Sequence, residues 1–184
     1  MTILETERLL LREMEESDFG ALCAILQDPL AMTAYEHAFA EDEVWDWLRR
    51  QRERYRQDGY GLWAVVRKET GEMIGQCGIT NQQVRERTVP EVGYLFRRSC
   101  WRRGFATEAA KACRDYAFSH FHALEVFSII RDTNAASQRV ALRNGMTLRD
   151  TIVKHYWNVD MPHLVFSIRR AEWEADCAAA ESLL

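Results

Sequence analysis

The chain has 184 residues, 47% of them hydrophobic, and a net charge of -4, which suits one domain with a full core and speaks against a nucleic-acid surface, although all but Lys68, Lys111 and Lys154 of its 24 basic residues are arginine. No apolar run approaches the roughly 20 residues that span a bilayer, and the charged N-terminal stretch holds no signal-peptide core, so a cytoplasmic protein without a membrane partner is expected. Five scattered cysteines, Cys23, Cys77, Cys100, Cys113 and Cys177, form no CxxC pair, which argues against a zinc site or a disulfide framework and leaves them as reduced thiols.

Along the chain, ERLLLRE (7–13) reads as a short strand. Ser17 is expected to cap a helix in which Phe19, Leu22, Cys23 and Leu26 recur at helical spacing until Pro29. A second helix is expected over 41–57, with Val44, Trp47, Leu48 and Tyr55 on its apolar side, arginines on the other and DGYG (58–61) at its end. Strands follow at 62–68, 73–80 and 89–96, the first two joined by the turn ETGE and the second pair by the polar stretch 81–88.

The stretch 99–118, SCWRRGFATEAAKACRDYAF, places Arg102 and Arg103 before Gly104 and then opens a helix. The first N–H groups of a helix have no partner within it, and with the helix dipole they hold anions such as phosphate. Ala106, Ala109, Ala110, Cys113 and Ala117 give this helix a face of small residues suited to close packing on a sheet. A buried strand at 124–131, a helix at 134–145 ended by Gly145, strands at 147–157 and 161–168, and a helical tail over 169–184 anchored by Trp173 complete the order. This is a mixed α/β pattern: one domain, 1–184, with a mostly antiparallel sheet of six to seven strands flanked by helices.

Two segments, VPEVGYLFRRSCWRRGFATEA (89–109) and NAASQRVALRNGM (134–146), preceded by ETERLLLREMEESD (5–18) and GLWAVVRKETGEMIGQCGI (61–79), stand in an order that resembles the GNAT N-acetyltransferases, and among them the RimJ/RimL-like group. The resemblance implies a splayed parallel strand pair and an acetyl-coenzyme A cleft where the strand ending near Phe96 leaves strand 124–131. It implies that backbone groups of Tyr94, Leu95 and Phe96 hold the pantetheine arm. The pyrophosphate would rest on the N–H groups of Arg102, Arg103, Gly104, Phe105, Ala106 and Thr107, with Arg97, Arg98, Arg102 and Arg103 adding charge. Asn134 would hold the pantetheine, Ser137 would stabilise or protonate the departing sulfur, and the N–H near Leu95 would polarise the carbonyl. No metal is required.

For the proton of the amine the candidates are Glu91, His155 and His163. The sequence departs from the family pattern at Trp101, where many members have Gln or Arg, at Arg102, where they have glycine, and at Ala141, where many carry a tyrosine acid. The acceptor is expected to be a primary amine, on a protein N-terminus or a small molecule. Tyr35, Phe39, Trp63, Tyr156 and Trp157 are candidates to line its pocket, although aromatics at such spacing more often belong to the core, and the acidic run 36–46 would favour a cationic amine or serve only as a solvated helix start. Monomer and homodimer are both compatible with the tail. A CoA-binding module without catalysis is the alternative reading, and a nucleic-acid binder using Arg97–Arg103 is a third.

Overall fold

The computed structural model describes residues 1–35, 37–156 and 159–181. The strands β1 (Thr2–Glu5), β2 (Leu9–Arg12), β3 (Leu62–Arg67), β4 (Met73–Val84), β5 (Arg87–Phe96), β6 (Glu125–Arg131), β7 (Thr147–Tyr156) and β8 (Val159–Arg169) form one sheet in the order β1-β2-β3-β4-β5-β6-β8-β7. The β5–β6 pair is parallel, whereas β1–β2, β2–β3, β3–β4, β6–β8 and β7–β8 are antiparallel. The helices are α1 (Phe19–Leu26), α2 (Glu41–Gln57), α3 (Phe105–His120), α4 (Ala135–Arg143) and α5 (Arg170–Glu181). No helix among the described residues is long and apolar enough to cross a membrane. The chain falls into two compact units, Met1–Thr80 with Gly93–Cys113, and Asn81–Val92 with Arg114–Leu184.

In the first unit, Leu22, Ile25 and Leu26 of α1 and Val44 and Leu48 of α2 pack with Leu62, Ala64 and Met73 of the sheet into one buried cluster. Each large aliphatic side chain buried there contributes about 2 kcal/mol by leaving water. Helix α2 keeps the predicted bounds, with acidic Glu41, Asp42 and Glu43 in its first turn and Asp58 at its C-cap. Its buried face also carries Gln51, fully enclosed, whose Oε1 accepts the Leu62 N–H at 3.1 Å, while the Tyr55 hydroxyl donates to the Leu62 carbonyl. These bonds serve the backbone groups of Leu62, which pairs with Gly78 of β4 but lies beyond the register with β2.

Ser17 is not the cap of α1. Residues Glu16–Asp18 form a 3-10 turn, and Asp18 accepts the Glu15 N–H at 2.8 Å and both Arg12 Nη atoms at 2.7 and 2.8 Å. A carboxylate takes these charge-assisted bonds where a hydroxyl could not. Strand β1, an eighth strand beyond the six or seven expected, is half-exposed and has no core residue to announce it. Tight packing marks β4: a Cβ added to Gly78 would stand 1.9 Å from the Gly61 carbonyl oxygen.

The second unit corrects the polar stretch 81–88, which is not a loop. Strand β4 runs to Val84 and β5 starts at Arg87, with Arg85 turning the ribbon at φ 55°. Val84 and Val89 pack with Phe127, Ile129 and Val165, so the polar residues between them sit on a ribbon whose apolar positions do reach a core. Helix α4 has Asn144 as its C-cap, followed by Gly145 at φ 73°. Residues Arg170–Glu181 of the tail form α5, and 182–184 of the expected helix lie outside the described residues. Trp173 stacks on Phe118 with ring centroids 4.9 Å apart and donates its indole N–H to Asp115 at 2.8 Å. Arg170 donates to the carbonyls of Phe118 at 2.7 Å and Ala123 at 3.1 Å, which serves the C-terminal end of α3 where cations are favoured.

Candidate active site

Strand β5 ends at Phe96, and a 3-10 turn at Arg98–Cys100 leads to Trp101. The Trp101 indole N–H donates to the Phe96 carbonyl at 2.9 Å and closes this turn. Arg98 pairs with Asp28 at 3.2 Å. Arg102 then adopts the left-handed region at φ 60°, and Gly104 does so at φ 83°. Glycine occupies that region without penalty and an arginine does not, so the departure at Arg102 is a substitution into a conformation that favours the missing glycine.

The first helical bond of α3 joins the Glu108 N–H to the Gly104 carbonyl at 3.0 Å. The N–H groups of Phe105, Ala106 and Thr107 therefore precede every intrahelical acceptor. Phe105 is buried, anchoring the turn, while Arg102, Arg103 and Gly104 are exposed. Arg97 Nε is buried and has no hydrogen-bond partner. A buried guanidinium donor without an acceptor is costly unless an anion or carbonyl completes it, so the residues present fit a phosphate-bearing cofactor.

Sequence reasoning missed the residues behind this loop. Glu108 accepts the Thr6 hydroxyl at 2.6 Å, the Arg8 N–H at 3.0 Å and Arg8 Nε at 2.7 Å, and Arg8 Nη2 lies 2.6 Å from Glu108 Oε2. Burial works against the charged form of Glu108, but the Thr6 and Arg8 donors outweigh it and hold the carboxyl below the usual carboxylate range. Arg8 Nη1 donates to the Arg103 carbonyl at 3.0 Å, and its guanidinium lies 4.6 Å from the Phe105 ring centroid. No spacing in the sequence joins residues this far apart in the chain.

In the second unit, the β5–β6 pairing is registered at Glu91↔Phe127. Beyond it, Glu91 Oε1 accepts the Ile129 N–H at 2.9 Å, and Ser128 Oγ donates to the Val92 carbonyl at 3.1 Å. Side chains thus add bonds between β5 and β6 beside the registered pair. Asn134 caps α4, its Oδ1 accepting the Ser137 N–H at 3.1 Å, and Ser137 is half-buried in the first turn. His155 is an exposed partner of Asp160 on the β7–β8 hairpin. His163 is buried with Nδ1 2.8 Å from the Met161 carbonyl, and burial pushes its pKa down despite that bond.

Of the expected acceptor residues, Trp63 is 1% exposed and belongs to the core. The cause is its register opposite Cys77 in the sheet interior. Tyr35 and Phe39 remain half-buried and meet Trp47 edge-on at 5.9 and 5.7 Å between centroids. Trp47 Nε1 donates to Gln76 Oε1 at 2.8 Å, and Gln76 Nε2 is buried without a partner. Within the acidic run, Glu43 accepts the Ala40 N–H at 2.7 Å and pairs with His37, a helix-start role, while Glu41 and Asp42 are exposed. Glu36, Trp157 and the Tyr156 side chain lie outside the described residues.

Residues 8–147 match the family model of the acetyltransferase (GNAT) domain. The chain belongs to the GNAT acetyltransferases. This GNAT chain is 40% identical over 158 residues to the uncharacterized protein YkkB of Bacillus subtilis (strain 168), covering 85% of this chain and 91% of that one. It is 30% identical over 152 residues to the uncharacterized N-acetyltransferase p20 of Bacillus licheniformis, covering 81% and 83% of the two chains. A crystal structure of an acetyltransferase from Agrobacterium tumefaciens str. C58 superposes with a TM-score of 0.76 at 30% identity, over 91% of this chain and 94% of that one. As a GNAT acetyltransferase the protein is an enzyme, and acetyl-coenzyme A is its cofactor.

Proposed function

We propose that this GNAT enzyme transfers the acetyl group of acetyl-coenzyme A to a primary amine, on a protein N-terminus or a small molecule, as a RimJ/RimL-like acetyltransferase. The observation that carries the reading is the run of backbone N–H groups at Phe105, Ala106 and Thr107, which precedes the first α3 bond behind left-handed Gly104. With the N–H groups of Arg102, Arg103 and Gly104, these bind the pyrophosphate. The orphaned Nε of Arg97 supports an anionic or carbonyl ligand at the same turn.

The cofactor supplies a thioester-activated acetyl group. Backbone groups of Tyr94, Leu95 and Phe96 hold the pantetheine arm, and the N–H near Leu95 polarises the acetyl carbonyl. Since Asn134 commits its Oδ1 to Ser137, its amide NH2 is the group it offers to the pantetheine. The Ser137 hydroxyl donates its proton toward the departing sulfur. Glu91, fixed by the Ile129 N–H, takes the amine proton directly or through a water. The whole chain acts as one catalytic domain in the cytoplasm, as monomer or homodimer.

Calorimetric titration with acetyl-coenzyme A, followed by a thiol-release screen against peptide N-termini and small amines, tests this. Binding with turnover of one amine class is the expected result. Binding without turnover on any amine leaves a CoA-binding module, and absence of binding overturns the reading.

A further inference from the structure

Four contacts converge on Arg8, a residue in the turn between β1 and β2. Its Nε and Nη2 grip Glu108, its Nη1 donates to the Arg103 carbonyl at 3.0 Å, and its guanidinium lies over Phe105. A Cβ on Gly104 would come within 3.3 Å of Arg8 Nη2, so the guanidinium is packed against the glycine itself. Resting on the phosphate assignment above, we propose that Arg8 is the positioning residue of the pyrophosphate loop, aiming the Gly104 N–H by holding the carbonyl of the peptide that carries it.

The peptide bond between Arg103 and Gly104 is trans and planar, so its C=O and N–H point in opposite directions. Pinning the Arg103 oxygen to Arg8 turns the Gly104 N–H away from Arg8. In a glycine peptide with a left-handed φ, rotation of that plane is otherwise easy. One side chain therefore removes the freedom that the glycine brings. The grip on Glu108 fixes the guanidinium from behind, since Glu108 is itself held by Thr6. It also sets a cation against a carboxylate that stands in the first turn of the helix assigned to phosphate, where an uncompensated negative charge would repel the ligand.

Lysine cannot replace this arrangement. An ammonium can pair with Glu108, but it lacks the planar fork that reaches Glu108 and the Arg103 carbonyl together. The test compares Arg8→Lys and Arg8→Ala with the unaltered protein, by calorimetric Kd for acetyl-coenzyme A and by displacement with S-acetylpantetheine, which lacks the pyrophosphate. Both variants are expected to weaken acetyl-coenzyme A by about tenfold or more and to leave S-acetylpantetheine within about twofold. Arg8→Lys is expected to keep the melting temperature of the unaltered protein through its pair with Glu108, so its loss of affinity is read on a folded chain. Equal weakening of both ligands, or none, overturns the positioning role while the cofactor reading stands. Failure of the unaltered protein to bind acetyl-coenzyme A overturns both.

Discussion

The Glu91 carboxylate accepts the backbone N–H of Ile129 at 2.9 Å, so one oxygen of the proposed base is also a structural acceptor in the β5–β6 pair. Glu91→Gln keeps an oxygen for that bond and removes the charge. Turnover is expected to fall about a hundredfold with stability changed by less than about 1 kcal/mol. A rate equal to wild type would assign Glu91 to the sheet alone.

Ser137 donates its backbone N–H to Asn134 Oδ1 at 3.1 Å. Ser137→Ala therefore leaves the cap of α4 in place. About a tenfold drop in kcat with cofactor Kd within twofold is expected, because the sulfur departs only in the reaction. Single-turnover kinetics beside calorimetry separates the two, and an unchanged kcat would remove Ser137 from the chemistry.

Arg102 at φ 60° holds a conformation that disfavours a side chain by about 1–2 kcal/mol. Arg102→Gly relieves that strain against the greater freedom of glycine when unfolded, so stability is expected at or up to about 1 kcal/mol above wild type. Arg102→Val is expected to lose about 1–2 kcal/mol. Urea denaturation of the pair checks both signs. Gly104→Glu, which puts a negative side chain on the loop, is expected to abolish acetyl-coenzyme A binding while the chain stays folded.

Gly78→Ala drives a Cβ to 1.9 Å from the Gly61 oxygen, with the Leu62 Cα at 2.9 Å. Both obstacles are backbone, which cannot rotate aside. A loss of about 3 kcal/mol is expected, read as a lower urea midpoint. Gly71→Ala faces no atom within 4 Å and carries only the strain of its φ of 69°, so its loss is expected to be smaller, near 1 kcal/mol.

Stability against pH has two stages. His163 is held below its ordinary range by burial, so from pH about 6.5 downward the unfolded chain gains a proton that the folded one resists, and stability falls. Asp18 is also held low: burial opposes its charge, but Arg12 and the Glu15 N–H outweigh it. Its contribution is complete above pH about 3.9 and is lost as pH falls through the lower folded value. Asp18→Asn should flatten the second stage, and His163→Gln the first, in urea titrations across pH 3–8.

Long-range order was legible wherever pattern and chemistry coincide. Helix α2 was readable because Val44 and Leu48 recur at helical spacing behind an acidic start, and the turn at Gly104 because two arginines and a glycine precede small residues. Strand ends were harder: the β4–β5 ribbon is polar except at Val84 and Val89, which reads as a loop until their core partners are known. The Glu108 grip was invisible, since Thr6 and Arg8 lie in a different segment with no spacing relation to it. Trp63 shows a choice that composition leaves open, an aromatic fit for a pocket or a core until strand register sets it in the core.

The bonds from Arg170 to the carbonyls of Phe118 and Ala123 have a consequence for how the chain can be shortened. Cutting before Arg170 would strip the Phe118 carbonyl in the last turn of α3 of its donor and invite fraying at that end of the helix. The C-terminal helix thus acts as a stopper on the end of α3, and a chain cut there is expected to melt at a lower temperature than the whole one.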